Sequence, residues 1–224
     1  MHLVFDTEGN GLLETESPLI KPIDKMWCIV AKDLVTKKVY KFEPDRVHEG
    51  VEFLAEADTL IGHHILGYDI PVMDMLYDFE TEANLLDTLV WSRSLNPDRK
   101  LAYGCPTHYD ALVYDINKVC RNIRGDKYHP MKTKKKLIGA HSIAAWAYKL
   151  GKVKPIHNDW LNYSPEMLHR CTEDTLINFK LMFALLKEAG MSLDQIINWK
   201  NMEVPSASTV ATSIRTRRKM RSNT

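Results

Sequence analysis

The stretch Leu3-Val4-Phe5-Asp6-Thr7-Glu8 constrains this chain more than any other. Three consecutive apolar residues predict a short buried strand. Side chains at i and i+2 of a strand face the same way. Asp6 and Glu8 are therefore predicted to project together at the strand's C-terminal end. Two carboxylates held side by side raise each other's pKa unless a cation lies between them. An all-oxygen donor set suits Mg²⁺ or Mn²⁺. The plain alternative is a pair of solvated acids at a strand-to-turn transition, because Asn10-Gly11 follows at once. Partner carboxylates elsewhere in the chain decide between the two.

The 224 residues, 45% hydrophobic and 26% charged, match an ordinary soluble globular composition. They suffice for one α/β domain with a full core, or a domain plus an insertion. No apolar stretch reaches the about 18 residues that span a bilayer, so no membrane association is expected. The N-terminus leads straight into a strand, which predicts no signal peptide. Cys28, Cys105, Cys120 and Cys171 form no CxxC pair and are expected to be reduced thiols of a cytoplasmic protein. Net charge is +1 but unevenly spread: residues 1–100 carry 19 acids and 10 bases, residues 101–224 carry 10 acids and 20 bases. Such asymmetry predicts a basic surface facing a polyanion. One basic cluster spans 118–136 and includes Lys132, Lys134, Lys135 and Lys136. A second, in the tail, contains Arg215, Arg217 and Arg218, with no acid after Glu203. Each cluster alone reads equally as a solvated surface. Beside a suspected metal site, the pair favours binding to a phosphate backbone.

Met26–Ala31 and Lys38–Phe42 are predicted strands, joined across the polar turn Asp33–Lys37 as a hairpin. A short helix is expected over Val47–Ala57, a buried strand over Thr59–Gly62 and a helix over Asp69–Phe79. Leu85–Leu89 reads either as a strand or as the start of a helix through Val90–Ser94. Residues 95–137, with Pro97, Gly104-Cys105-Pro106, Gly125 and Pro130, read as an insertion or long loop. Within it, Cys105, His108, Cys120 and His129 have an irregular spacing for zinc, and scattered thiols and surface histidines are the better reading. An amphipathic helix over Ala140–Leu150 closes at Gly151. Ser164-Pro165-Glu166 marks the start of a long helix to Ala189, ended by Gly190. A last short helix covers Ser192–Lys200, and a polar basic tail follows from 201 to 224. The expected architecture is α/β, a mixed central sheet with flanking helices in one domain over 1–200.

Two further acids stand in telling contexts. Asp69 follows the strand Thr59–Gly62 across His63, His64 and Gly67-Tyr68, at a helix start. Asp174 lies inside the long helix. Alone, each reads as an ordinary helix acid. In order, Asp6, Glu8, Asp69 and Asp174 resemble the four acids of the DEDD superfamily of 3′→5′ exonucleases, which have a ribonuclease H-like fold. The closer similarity is to the proofreading exonuclease domain of bacteriophage family A DNA polymerases. It is carried by Leu3–Leu13 (LVFDTEGNGLL), Gly62–Met73 (GHHILGYDIPVM), Asp87–Arg93 (DTLVWSR), Gly139–Gly151 (GAHSIAAWAYKLG) and Asp174-Thr-Leu, over about residues 1–190.

The resemblance implies a metal-dependent 3′→5′ exonuclease acting on the 3′ end of single-stranded DNA, a proofreading hydrolase in phage DNA replication within the bacterial cytoplasm. It implies two divalent cations, Mg²⁺ or Mn²⁺, about 4 Å apart. Asp6 would bridge them, Glu8 and Asp174 would complete one site, and Asp69 would hold the second ion largely through water. Leu12 or Leu13 would wedge against the terminal base, with a core role as the alternative. His64, Arg170, the Lys132–Lys136 cluster and the tail arginines would contact the strand. The sequence departs from the family in three ways. A basic tail follows where a polymerase usually does, which implies a stand-alone chain with a separate polymerase partner. The 95–137 insertion is long. Arg170 occupies the position, four before the last acid, where polymerase-type domains have tyrosine. Another branch has histidine five residues before that acid, a spacing that His169 meets. On an unbroken helix five residues turn through about 500°, so His169 reaches the water only if the helix is kinked or begins near it. An exoribonuclease and a catalytically weak nucleic-acid-binding accessory protein are the competing readings.

Overall fold

The computed structural model describes residues 1–13, 22–114, 131–155, 157 and 159–198. The chain divides into two compact units, Met1–Gly190 and Met191–Thr224. In the first unit the elements are β1 (His2–Gly9), β2 (Met26–Asp33), β3 (Val39–Phe42), α1 (Val47–Ala55), β4 (Thr59–Gly62), α2 (Asp69–Tyr77) and β5 (Asn84–Asp87). They continue with α3 (Thr88–Leu95), β6 (His108–Tyr114), β7 (Met131–Leu137), α4 (Ile143–Lys149) and α5 (Pro165–Ala189). In the second unit the described element is α6 (Leu193–Ile197), whose start is closed by a capping box between Ser192 and Gln195.

Five strands form a mixed sheet in the order β3-β2-β1-β4-β5. The pairs β1–β2 and β2–β3 are antiparallel, and β1–β4 and β4–β5 are parallel. This α/β arrangement is consistent with the ribonuclease H-like exonuclease fold. β1 is central, and Leu3, Val4 and Phe5 are fully buried. A continuous apolar run, rather than an alternating one, is what a strand covered on both faces requires. Leu3, Phe5, Ile29, Ala31 and Leu60 pack with α1 and α2 on one face. Cys28 and Val30 pack with Met167 and Cys171 of α5 on the other. Asp6 is opposite Val30 and Glu8 opposite Cys28 in the register, so both acids face α5.

Local chemistry explains the boundaries. Asp33 Oδ1 accepts from the Val35 and Thr36 amides at 2.8 and 2.6 Å, and Lys37 takes φ 64°, closing the predicted β2–β3 hairpin. The Ser164 hydroxyl caps α5, Pro165 occupies its first turn, and Gly190 ends it at φ 67°, all as expected. α2 ends at Tyr77 rather than Phe79 because Asp78 adopts a left-handed conformation. Leu85–Leu89 resolves into both alternatives, the end of β5 and the start of α3.

The segment 95–137, expected as an insertion or long loop, has secondary structure of its own. It contains an antiparallel ribbon, β6 against β7, that pairs His108 with Leu137 and Tyr114 with Met131. Tyr109, Val113 and Tyr114 are strong strand formers, and a ribbon outside the main sheet tolerates the lysines of its partner strand. The tail residues Arg215, Arg217 and Arg218, with Cys120 and His129, lie outside the described residues.

Asp87 ties the loop after β4 to the start of α3. Its Oδ1 accepts from the amides of His64, Leu89 and Val90 at 3.0, 2.8 and 3.3 Å, and its Oδ2 from Leu66 at 3.2 Å. Removing this carboxylate strands several donors in the protein. Asp87→Ala is expected to lower unfolding stability by about 2–4 kcal/mol, read from urea denaturation.

Candidate active site

The site lies at the C-terminal ends of the parallel strands β1 and β4. β1 presents Asp6 and Glu8 toward α5. On α5 the buried positions include Met167, Cys171, Asp174, Asn178, Leu181 and Leu185, a stripe at spacings of three and four. Asp174 therefore occupies a buried position opposite β1. Oxygens of Asp6, Glu8 and Asp174 lie within 4.8 Å of one another. Asp69 starts α2 on the opposite face and accepts the Thr7 hydroxyl at 2.6 Å. Thr7 is the odd residue between the two acids of β1, so it points toward α2. Asp69 is thus brought to the same cavity from the other side of the sheet, outside the tight triad.

The cavity, about 340 Å³, is lined by all four acids with Thr7, His63, His64, Tyr68, Ile143, Lys154, Arg170 and Asn178. Arg170 donates from Nε to Glu8 Oε1 at 3.1 Å and lies 3.8 Å from Asp174 Oδ2. Lys154 Nζ donates to Asp174 Oδ2 at 2.5 Å. Asp174 Oδ1 is buried without a hydrogen-bond partner among the described residues. The Tyr68 hydroxyl donates to the Gly11 carbonyl at 2.7 Å, tying the start of α2 to the bend after β1.

Burial and mutual repulsion dominate the electrostatics. Desolvation, then Glu8, Asp174 and Asp69, holds the Asp6 carboxyl well above the usual range. Burial pushes Glu8 up to about 7, with Arg170 opposing it. Burial raises Asp69 to about 6 against the stabilising Thr7 hydrogen bond. Burial also drives His63 down to about 4, leaving a neutral imidazole bonded through Nδ1 to Thr88 Oγ1 at 3.0 Å. The orphaned Asp174 oxygen and the crowded, all-oxygen triad fit a hard divalent cation.

The structure brings Asp6, Glu8, Asp69, Asp174, His64 and Arg170 to one cavity. It does not bring His169 there. α5 runs unbroken from Pro165, and His169 is exposed, turned about 140° from Asp174 around the helix. Leu12 is 47% exposed at the bend after β1, whereas Leu13 packs against the core, the role expected as its alternative. Lys132, Lys134, Lys135 and Lys136 all lie on β7. Lys135 and Lys136 are exposed and, being consecutive in a strand, face opposite ways, so the lysine run is not a single patch. Cys105 is buried, and neither it nor His108 belongs to a metal-binding group among the described residues.

Sequence reasoning missed Thr7, His63, Tyr68, Lys154 and Asn178. Alternation along β1 is a signal for Thr7. The buried stripe of α5 is a signal for Asn178. Lys154 lies in an irregular segment with no periodicity to reveal it.

No protein-family model matches the chain. The chain is similar to bacteriophage DNA polymerases. It is 23% identical over 215 residues to the DNA-directed DNA polymerase of Escherichia phage T7, covering 83% of this chain and 27% of that protein. It is likewise 23% identical over 216 residues to the DNA-directed DNA polymerase of Enterobacteria phage T3, with the same two shares, 83% and 27%. The chain thus spans about a quarter of the length of these curated relatives. Among the described residues, no helix is long and apolar enough to cross a membrane.

A carboxyl whose pKa rises on folding favours the native state at low pH. That contribution is lost as pH climbs through the folded value. The metal-free chain is therefore expected to lose stability from pH 4.5 upward through about 7, the range bounded by the ordinary and folded values of Glu8. Asp6→Asn relieves the repulsion. In EDTA at pH 8 it is expected to raise the melting temperature by about 2–6 °C, with a smaller gain at pH 5.

Proposed function

We propose that this chain is a metal-dependent 3′→5′ exonuclease that shortens single-stranded DNA and serves proofreading beside a DNA polymerase. The observation that carries this reading is the triad of Asp6, Glu8 and Asp174 within 4.8 Å, with a buried carboxylate oxygen left unpartnered. The likeness to phage DNA polymerases favours DNA as the substrate.

Asp6, Glu8 and Asp174 would hold one Mg²⁺ or Mn²⁺, and Asp69, steadied by Thr7, would serve a second. Bound ions of this kind supply charge stabilisation at phosphorus and a more acidic water. The chain's own residues do the rest. Arg170 holds one oxygen of Glu8, and we assign the other oxygen to orienting the attacking water, the role that His169 cannot reach. As the water's oxygen bonds to phosphorus its proton passes to that Glu8 oxygen, the bond to the 3′ oxygen of the preceding nucleotide breaks, and this oxygen takes a proton from solvent as the nucleoside 5′-monophosphate is released. Leu12, exposed at the bend after β1, is free to meet the terminal base. Lysines on one face of β7 would attract the strand's phosphates, a sequence-independent attraction.

A binding-only reading draws on Lys154 and Arg170, which already neutralise two of the acids. Activity separates the two. A 5′-labelled single strand incubated with Mn²⁺ is expected to shorten stepwise from its 3′ end. Asp6→Ala and Asp174→Ala should each slow this by about a thousandfold or more. An undiminished rate in either variant would place the site elsewhere. His169→Ala should keep the rate within about twofold, as for an exposed surface residue. A faster loss of ribo- than deoxyribo-oligonucleotides would reassign the substrate to RNA.

A further inference from the structure

The cavity holds four carboxylates and two cations of its own. Arg170 is fixed from three sides. Its Nε meets Glu8 Oε1 at 3.1 Å, its Nη1 donates to the Pro155 carbonyl at 3.2 Å, and its guanidinium lies 4.9 Å from the Trp160 ring centroid. Trp160 is itself held, by the Trp27 indole donating to its carbonyl at 3.0 Å. Lys154 meets only Asp174 Oδ2 among the described acids, with its side chain 22% exposed. Lys154 takes Asp174 Oδ2, and Arg170 takes Glu8 Oε1 while lying 3.8 Å from that same Asp174 Oδ2, so each of the two carboxylates keeps its other oxygen. Among the described residues only Arg170 donates to the Glu8 carboxylate, and Asp174 Oδ1 has no partner. Glu8 and Asp174 thus each keep an oxygen for an ion, or for the water beside it, while both cations stay in place. The ion binds against two positive charges a few ångströms away, in a cavity where screening is weak.

We propose that Lys154 and Arg170 set the affinity of the acid triad for a divalent cation. They stabilise the ion-free site and weaken the binding of the ion. This rests on the metal-dependent reading above and adds a role for two residues beyond that reading. With all four acids ionised, the two cations halve the cavity's negative charge. A neutral residue at either position restores one negative charge to the ion's surroundings and removes one repulsive neighbour. The same substitution leaves one acid uncompensated when no ion is present. Opposite effects on the two states are the mark of a counter-charge. A residue that only positions a carboxylate weakens both.

The test uses the full chain without nucleic acid, with Mn²⁺ binding followed by electron paramagnetic resonance. Lys154→Met and Arg170→Met are each expected to tighten the Mn²⁺ dissociation constant about tenfold. Lys154→Arg and Arg170→Lys, which keep the charge, should stay within about threefold of the parent. In EDTA at pH 8 both methionine variants should melt below the parent, and saturating Mn²⁺ should close or reverse that gap. Should Arg170→Met not fold, Lys154→Met, in a partly exposed segment, carries the test alone. Methionine variants that bind Mn²⁺ no more tightly than the parent overturn the proposal and leave the nuclease reading intact. A parent chain that takes up no Mn²⁺, and is indifferent to Asp6→Asn, overturns both.

Discussion

The packing of α5 against β1 and β2 is the interaction on which the rest of the site depends. Met167 and Cys171 fill the face formed by Cys28 and Val30. The Cys171 thiol donates to the Asp6 carbonyl at 3.3 Å, and the Thr175 hydroxyl lies 3.3 Å from the Val30 carbonyl. Further along the helix, Leu181 and Leu185 join Trp146 of α4 in a second apolar cluster. Each such side chain contributes about 1.5–3 kcal/mol on burial. Their combined gain offsets the cost of holding Asp174, 5% exposed, against two other acids. Without that gain, three carboxylates would separate into solvent.

The sheet topology then decides how the four acids divide. Alternation along β1 sends Asp6 and Glu8 to the α5 face and Thr7 to the α2 face. Asp69 follows Thr7, so it enters the cavity from the far side of the sheet. Three acids form a tight group and the fourth stands apart on a neutral hydroxyl. That asymmetry is a consequence of the two-residue period of a strand. It gives the cavity one crowded and one relaxed end. Lys154 and Arg170 serve only the crowded one, where repulsion is greatest.

Much of this is legible in the sequence. Thr59–Gly62 is where its apolar run placed it, and the whole of α5 is where its capping residues placed it, because Ser164, Pro165 and Gly190 specify that helix's ends by backbone chemistry alone. The two acids of β1 were readable from alternation. The ribbon β6–β7 was not, because neither HYDALVY nor MKTKKKL alternates apolar with polar residues, and proline and glycine nearby imitate a loop. His169 matched a spacing but not a direction. A spacing becomes a shared face only once the helix is known to run straight through it.

The sequence by itself determined the α/β class and the elements other than the ribbon β6–β7, since these follow from periods and caps within a few residues, and it joined Asp69 and Asp174 to Asp6 and Glu8 only through the family resemblance. Tertiary structure alone decided that Asp174 closes on Asp6 and Glu8, that Arg170 and not His169 faces them, and that Lys154 joins from an irregular segment. Electrostatic pairing depends on distances between residues about 20 to 160 positions apart, and no local preference encodes such distances. The apolar stripe of α5 sets them, because it can lie on the sheet with only one face inward.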